Sequence, residues 1–125
     1  MIRTILAIDD STTMRALLQA TLAQAGYDVT VAPDGEAGFD LAATVPYDLV
    51  LTDQNMPRKS GLEVIAALRK LTAYTETPIL VLTTEGSDAF KEAARDAGAT
   101  GWIEKPIDPA VLIDLVATLS EPAAS

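Results

Sequence analysis

Short apolar runs alternate with segments of helical periodicity along the chain. Five runs of mostly apolar residues have the length and composition of strands in a buried sheet. They are Thr4–Ile8, Asp28–Ala32, Leu49–Thr52, Ile79–Leu82 and Gly101–Ile103. In the segments that follow each run, apolar residues recur every three or four positions, which predicts amphipathic helices. The pattern therefore predicts five strand–helix units.

The predicted helices differ in how clearly one face is apolar. The first has an apolar face made of Met14, Leu17, Leu18, Leu22 and Ala25. The second, over Gly35–Thr44, has a weaker face that rests on Ala37 and Leu41. Helix boundaries carry their own signals: Ser60 and Glu63 have the spacing of a capping box. Asp108-Pro109 is typical of an N-cap followed by a proline at the first helical position. Gly26 and Gly98 are glycines of the kind that follow the C-terminus of a helix.

Regular alternation of strands and helices predicts an α/β fold with one parallel sheet covered by helices on both faces. For five strands the flavodoxin-like (βα)5 arrangement, with strand order 2-1-3-4-5, is the expected topology. In that order the first and third strands are neighbours, and the direction of winding reverses between them. A crevice for a ligand is therefore expected beyond the carboxyl ends of these two strands.

Composition narrows the range of functions. The 125 residues fit one domain, predicted over residues 1–121 with a frayed tail at 122–125. The chain has no cysteine and no histidine, which excludes thiol chemistry and a histidine base or ligand. Its net charge of −9 argues against binding nucleic acid. No apolar run approaches the roughly 20 residues of a membrane span, and no targeting segment is recognised, so a cytoplasmic protein is expected.

Polar side chains follow four of the predicted strands. Asp9 and Asp10 come after the first strand, Asp53 after the third, Thr83 after the fourth and Lys105 after the fifth. Each alone has an ordinary structural role, as a helix cap, a strand end or a solvated side chain. The predicted topology, however, brings all five to the same edge of the sheet. We therefore predict a polar site at the carboxyl ends of the strands.

Three carboxylates at this site require a cation, or one of them must take up a proton. Two carboxylates about 4 Å apart repel each other by roughly 4 kcal/mol at an effective dielectric constant near 20. Lys105 alone does not balance three carboxylates, and Mg²⁺ suits a site with few carboxylates and a phosphate oxygen. We predict a phosphoryl-transfer site in which Asp9 and Asp10 hold the metal and Asp53 is the nucleophile. Thr83 and Lys105 would contact phosphate oxygens.

The chain also resembles the receiver domains of two-component response regulators over essentially its whole length. The resemblance rests on four stretches that occur in the family's order, ILAIDDSTTMR, DLVLTDQNMPRKSG, PILVLTTE and WIEKPID. It is similar in particular to CheY-type single-domain chemotaxis regulators, with D-D-S-x-x-M-R as one cue. The resemblance implies a phosphorelay protein that is not an enzyme on other substrates, because it catalyses only its own phosphorylation and dephosphorylation.

Residue by residue, the resemblance implies that Asp53 is the phosphoacceptor. Asp9 and Asp10 match the acid pair, and Asp10 would bind Mg²⁺ directly together with Asp53 and the backbone carbonyl of Asn55. Thr83 matches the switch hydroxyl and Lys105 the phosphate-binding lysine.

Three further expectations concern the switch and its output. Trp102 matches the aromatic switch position, where the family usually has tyrosine or phenylalanine, and the larger indole puts an inward rotation in doubt. The resemblance also implies a cis bond between Lys105 and Pro106. The family's docking surface, formed by the fourth helix, fifth strand and fifth helix, corresponds to residues 88–97, 101–104 and 109–119.

The lifetime of a phosphorylated Asp53 is expected to depend on two loop residues. Asn55 lies two positions after Asp53, and Glu85 lies two positions after Thr83. Either side chain can orient a water molecule for attack on the acyl phosphate, so a short-lived phosphoprotein is expected.

The expected partners are a chemotaxis-type sensor histidine kinase as donor and a protein target such as the flagellar motor switch. The residues are equally compatible with a phosphate sink for the same kinase, and we expect a monomer.

Two other classes of function fit less of the sequence. A flavin-binding electron carrier shares the fold, and Ser11-Thr12-Thr13 imitates its phosphate loop, but Asp9 and Asp10 would repel a phosphate that lacks a metal. An aspartate-dependent phosphohydrolase would have its second aspartate two positions after the first, a spacing that is absent here.

Overall fold

A computed structural model describes residues 1–120, so the tail predicted at residues 122–125 lies outside the described part of the chain. Strands and helices alternate along these residues as predicted. The elements are β1 (Thr4–Ile8), α1 (Thr12–Gln24), β2 (Asp28–Ala32), α2 (Gly35–Thr44), β3 (Leu49–Asp53), α3 (Gly61–Leu68), a 3₁₀ turn (Thr72–Tyr74), β4 (Ile79–Thr83), α4 (Asp88–Ala97), β5 (Gly101–Glu104) and α5 (Pro109–Ser120).

The five strands form one parallel sheet in the order β2-β1-β3-β4-β5, which confirms the predicted flavodoxin-like topology. Three strands are one residue longer than predicted, because they include Asp53, Thr83 and Glu104. Asp53 is in register with Leu82, and Thr83 with Glu104. The ladder is formed by backbone groups, so a polar side chain at its end does not stop it.

The sheet separates two apolar clusters. Along β1, Leu6 and Ile8 belong to the cluster beneath α2, α3 and α4, whereas Ile5 and Ala7 belong to the cluster beneath α1 and α5. This alternation follows from the period of two along a strand. Every residue of β3 and β4 is buried, as expected for central strands that are covered on both faces. By contrast, α4 buries only Phe90 and Ala94.

Two predicted helix faces were partly wrong. In α1 the buried residues are Leu18 and Leu22, four positions apart, whereas Leu17 lies at the edge of the face and is 38% exposed. In α2 the buried residues are Gly35, Gly38 and Ala42 rather than Leu41. A Cβ atom at Gly38 would overlap the side chain of Ile8, so α2 approaches the sheet too closely for a larger side chain.

The predicted helix boundaries are confirmed. Ser60 and Glu63 form the reciprocal capping box at the start of α3. Asp108 accepts a hydrogen bond from the N–H of Ala110 at the start of α5. Gly98 ends α4 with a φ of 102°, a left-handed conformation that glycine adopts without strain. Within residues 1–120, none of the helices has the length and apolar character that crossing a membrane demands.

Candidate functional site

The structure brings five predicted site residues to the carboxyl edge of the sheet. Asp9 and Asp10 follow β1, Asp53 ends β3, Thr83 ends β4 and Lys105 follows β5. Three of these polar side chains are almost fully removed from solvent, since relative exposure is 0% for Asp9, 3% for Asp53 and 1% for Thr83. Burial of polar groups is unfavourable unless they are paired, so their partners determine what this site can do.

Lys105 is the positive charge of the site. Its Nζ lies 2.8 Å from Asp53 Oδ1 and 3.7 Å from Asp9 Oδ2. Burial alone would lower the pKa of the Lys105 ammonium, but the hydrogen bond to Asp53 and the charges of Asp9 and Asp53 raise it. The ammonium therefore stays charged. The backbone N–H of Lys105 donates to the carbonyl of Thr83, and the peptide bond from Lys105 to Pro106 is cis.

The acidic side chains form a cluster with the composition of a metal site. Asp9, Asp10 and Asp53 each offer a carboxylate oxygen, and these three oxygens lie within 4.8 Å of one another. Asp9 Oδ2 is buried and accepts no hydrogen bond from residues 1–120. Burial, more than the charges of Asp53 and Asp10, raises the pKa of the Asp9 carboxyl. A hard divalent cation would satisfy the free oxygen and neutralise the cluster, so the residues fit Mg²⁺.

Thr83 connects the site with the loop that leads to α4. Its hydroxyl oxygen accepts a hydrogen bond of 2.9 Å from the backbone N–H of Glu85. The carboxylate of Glu85 accepts a bond of 3.1 Å from the hydroxyl of Ser87, the N-cap of α4. The side chain of Glu85 is therefore tied to the start of α4. Asn55 is exposed in the loop after β3.

Trp102 lies on β5, where it is in register with Val81 of β4. The indole is half-buried and packs against the cluster beneath α2, α3 and α4. Lys91 Nζ is 5.7 Å from the ring centroid, and Arg95 Cζ is 5.4 Å from a ring centroid of the same indole. Both distances are in the range of cation–π interactions, so α4 is attached to β5 through one aromatic side chain.

Sequence reasoning missed two residues that support Asp53. A Cβ atom at Gly61 would overlap the carbonyl oxygen of Asp53, so α3 begins in close contact with the end of β3. The side-chain oxygen of Gln54 accepts a bond of 3.0 Å from Leu62 N, and its carbonyl accepts one of 3.0 Å from Gly61 N. The only signal in the sequence was the glycine after Ser60, which the capping box already explained.

Comparison with known proteins agrees with this geometry. Residues 5–117 match the family described as response regulator receiver domain. The chain is 40% identical to the chemotaxis protein CheY1 of Helicobacter pylori over 110 residues, 86% of this chain and 89% of the relative. It is 38% identical to a CheY homologue of Campylobacter jejuni over 110 residues, 86% of this chain and 85% of the relative.

Solved structures give the same result. A response regulator protein from Burkholderia multivorans is 87% identical, with a TM-score of 0.85 and full coverage of both chains. The chemotaxis protein CheY4 of Vibrio cholerae is 38% identical, with a TM-score of 0.90, covering 94% of this chain and 98% of that one. Receiver domains generally bind Mg²⁺ at an aspartate cluster of the kind described above. The chain therefore belongs to the response regulator receiver domain family of two-component signal transduction, and it is of the CheY chemotaxis type.

Proposed function

We propose that this chain accepts a phosphoryl group on Asp53 from a sensor histidine kinase and transmits the change to a partner protein. The observation that carries the proposal is the contact of 2.8 Å between Lys105 Nζ and Asp53 Oδ1 beside the other two carboxylates. It supplies a nucleophile and fixed positive charge at one point. Beside Asp53, the buried Oδ2 of Asp9 accepts no hydrogen bond from residues 1–120, which a bound cation would explain and a purely structural role would not.

The proposed chemistry transfers one phosphoryl group from the phosphohistidine of the donor to the carboxylate of Asp53. A carboxylate oxygen of Asp53 attacks phosphorus, the bond from phosphorus to the donor's imidazole nitrogen breaks, and the imidazole keeps the electron pair. Bound Mg²⁺ would neutralise charge on the phosphoryl oxygens. Asp9, Asp10, Asp53 and the backbone carbonyl of Asn55 would hold it.

Lys105 and Thr83 have separate roles in this proposal. Asp53 loses its bond to Lys105 when it is phosphorylated, and the ammonium then pairs with a phosphoryl oxygen. Thr83 donates its hydroxyl proton to another phosphoryl oxygen. Because Thr83 also accepts the N–H of Glu85, its displacement moves the loop before α4. Asn55 and Glu85 border the path of the water molecule that hydrolyses the acyl phosphate.

The signal leaves through the surface formed by α4, β5 and α5. Lys91, Arg95 and Trp102 lie on it, so a change in the loop before α4 alters the presented side chains. A protein target such as the flagellar motor switch is the proposed partner, and a phosphate sink for the same kinase is the second candidate. We also propose a cytoplasmic monomer whose receiver domain spans residues 1–121.

Replacement of the acceptor tests the proposal. Asp53→Asn removes the nucleophile but keeps the size of the side chain, so incorporation of phosphate from acetyl phosphate or from a histidine kinase should fall to background. Asp40→Asn, an exposed aspartate on α2, is the matched control and should label normally. Labelling should also stop in chelator and return with Mg²⁺. Full labelling of Asp53→Asn would exclude Asp53 as acceptor.

A further inference from the structure

Arg15 is a cation beside the acidic cluster that the proposed mechanism does not use. Its Nη1 donates a hydrogen bond of 2.8 Å to the carbonyl oxygen of Asp9, and its Nη2 lies 3.3 Å from Thr12 Oγ1. Within residues 1–120, its guanidinium forms no ion pair with a carboxylate. The bond to the backbone of Asp9 is therefore its shortest polar contact, and it ends on a residue of the acidic cluster.

The other polar groups of Asp9 show what this bond completes. The N–H of Asp9 donates to the carbonyl of Ala32 at 3.1 Å, and its Oδ1 accepts from Ser11 N at 2.9 Å. With Arg15 on the carbonyl, every polar atom of Asp9 is hydrogen-bonded except Oδ2. That oxygen lies on the side of Lys105 and the other carboxylates. The backbone of Asp9 is thus held from both sides, and one oxygen is left for a ligand.

The contact of Arg15 is with the backbone and not with a carboxylate. Arg15 lies in the first turn and a half of α1, where the partial positive charge of the helix N-terminus disfavours a cation. The carboxylates of the metal-free cluster attract the guanidinium, but a bound divalent cation would repel it. Within residues 1–120 the guanidinium donates to the carbonyl of Asp9 and forms no ion pair with a carboxylate, so we treat it as a hydrogen-bond donor to the backbone.

We propose that Arg15 is a positioning residue of the metal site, an inference that rests on the proposed function. By holding the carbonyl of Asp9, Arg15 fixes the turn from β1 to α1. Asp9 Oδ2 then stays directed at the cluster, and Asp10, the next residue, stays beside it. Residues that orient metal ligands in this way commonly affect metal affinity by 10-fold to 100-fold, in the sense of weaker binding when they are removed.

A role through charge and a role through positioning predict opposite changes in metal affinity when Arg15 is replaced. Arg15→Met keeps an unbranched side chain but removes both the charge and the donors. If Arg15 acted only through its charge, this variant would bind a divalent cation more tightly. If Arg15 positions Asp9 and Asp10, the variant binds about 10-fold more weakly. Arg15→Lys keeps the charge and one donor group, so its affinity should lie between those of Arg15→Met and the unaltered protein.

The experiment measures Mn²⁺ binding to the unphosphorylated protein from the electron paramagnetic resonance signal of free Mn²⁺, and Mg²⁺ binding by competition. Arg3→Met is the matched control, because its side chain makes no hydrogen bond or ion pair within residues 1–120; its affinity should be unchanged. Thermal unfolding in chelator shows whether the variants remain folded. If Arg15→Met does not fold, Arg15→Lys carries the test, with weaker binding as support and unchanged binding as refutation.

The outcomes separate this inference from the proposed function. Equal or tighter binding by a folded Arg15→Met, while the unaltered protein binds Mn²⁺ and Asp10→Asn does not, overturns the role of Arg15 alone. Absence of binding by the unaltered protein at millimolar concentration overturns the metal site, and the role of Arg15 with it.

Discussion

Thr83 and Glu85 are joined by a hydrogen bond in which the threonine hydroxyl accepts from the glutamate backbone N–H at 2.9 Å. Within residues 1–120, the hydroxyl makes no hydrogen bond through its own proton. It is therefore able to donate to a new acceptor while it still holds Glu85. The carbonyl of Thr83 also accepts a hydrogen bond from Lys105 N, so movement of Thr83 would displace both the loop before α4 and the loop after β5.

Thr83→Ala should separate phosphorylation from its structural consequence. Asp53 and Lys105 remain, so beryllofluoride should still bind in the presence of Mg²⁺. The displacement of the loop should be lost, and Trp102 fluorescence should change by less than half of the change in the unaltered protein. Because the chain has a single tryptophan, its emission reports on β5 alone.

Thr84→Ala is the control for this variant, since Thr84 is the exposed neighbour on the same loop and should leave the fluorescence change intact. A full change in emission from Thr83→Ala would show that the signal reaches β5 by a route other than this hydroxyl.

Asp9→Asn should stabilise the metal-free protein at neutral pH. Burial raises the pKa of the Asp9 carboxyl in the folded protein above its ordinary value, so the carboxyl favours folding fully only below that ordinary value, and this contribution is lost as pH rises through the folded pKa. An asparagine stays uncharged over this range of pH. In chelator the unfolding midpoint of Asp9→Asn should exceed that of the unaltered protein by a few degrees at pH 7.5, and the difference should shrink towards pH 4.

Asp48→Asn should change the unfolding midpoint in the opposite direction in the same assay. Its carboxylate accepts from the backbone N–H groups of Arg3 and Thr4 at 2.9 and 3.1 Å, and these bonds, with the Arg3 bond contributing most, lower its pKa. Its stabilising effect is present at neutral pH and is lost as pH falls through the folded pKa. Asp48→Asn should therefore lower the midpoint at pH 7.5, by an amount limited by its solvent exposure. Equal pH dependence of both variants would contradict these assignments.

Gly61→Ala should disturb the site through the backbone of Asp53. The added methyl group would overlap the Asp53 carbonyl oxygen, and a backbone atom cannot move away as a flexible side chain does. We expect a loss of about 1–3 kcal/mol in the free energy of unfolding and at least a 10-fold slower phosphorylation by acetyl phosphate.

Gly101→Ala serves as the control for added volume, because a Cβ atom there would be 3.4 Å from Leu80 Cδ2, an ordinary contact. Its phosphorylation rate should be that of the unaltered protein. If Gly61→Ala reacted equally fast, the close approach of α3 would have no bearing on the acceptor.

The topology, and the placement of the five main site residues at one edge of the sheet, were predictable. Both depend on the periodicity of apolar residues and on the order of the strands along the chain. Apolar runs separated by helical segments define a parallel sheet, and parallel strands carry Asp9, Asp53 and Thr83 to the same edge. The contacts that hold those residues were not predictable. Arg15 donates to the carbonyl of Asp9, and Gly61 lies against the carbonyl of Asp53. Every residue has a carbonyl group, so the residue types in a sequence do not show which carbonyl will be contacted.

The helix faces show a second limit. From hydrophobicity, Leu41 was expected to be the buried residue of α2. The structure buries Gly38 instead, because α2 packs so close to Ile8 that only a residue without a side chain fits. The amount of space between two elements is a property of the packed structure. A pattern of apolar letters reports which residues prefer burial, and it does not report how closely two backbones approach.

The difference in burial between the central strands and α4 has a consequence for amide hydrogen exchange. β3 and β4 are buried along their whole length, so their amides are expected to exchange only when the entire domain unfolds. α4 is attached by Phe90 and Ala94 and by the contact of its two cations with Trp102. Its amides should therefore exchange through local openings of much lower free energy. In such an opening α4, which follows the loop after Thr83, would detach while β3 and β4, the central strands that carry Asp53 and Thr83, stay folded.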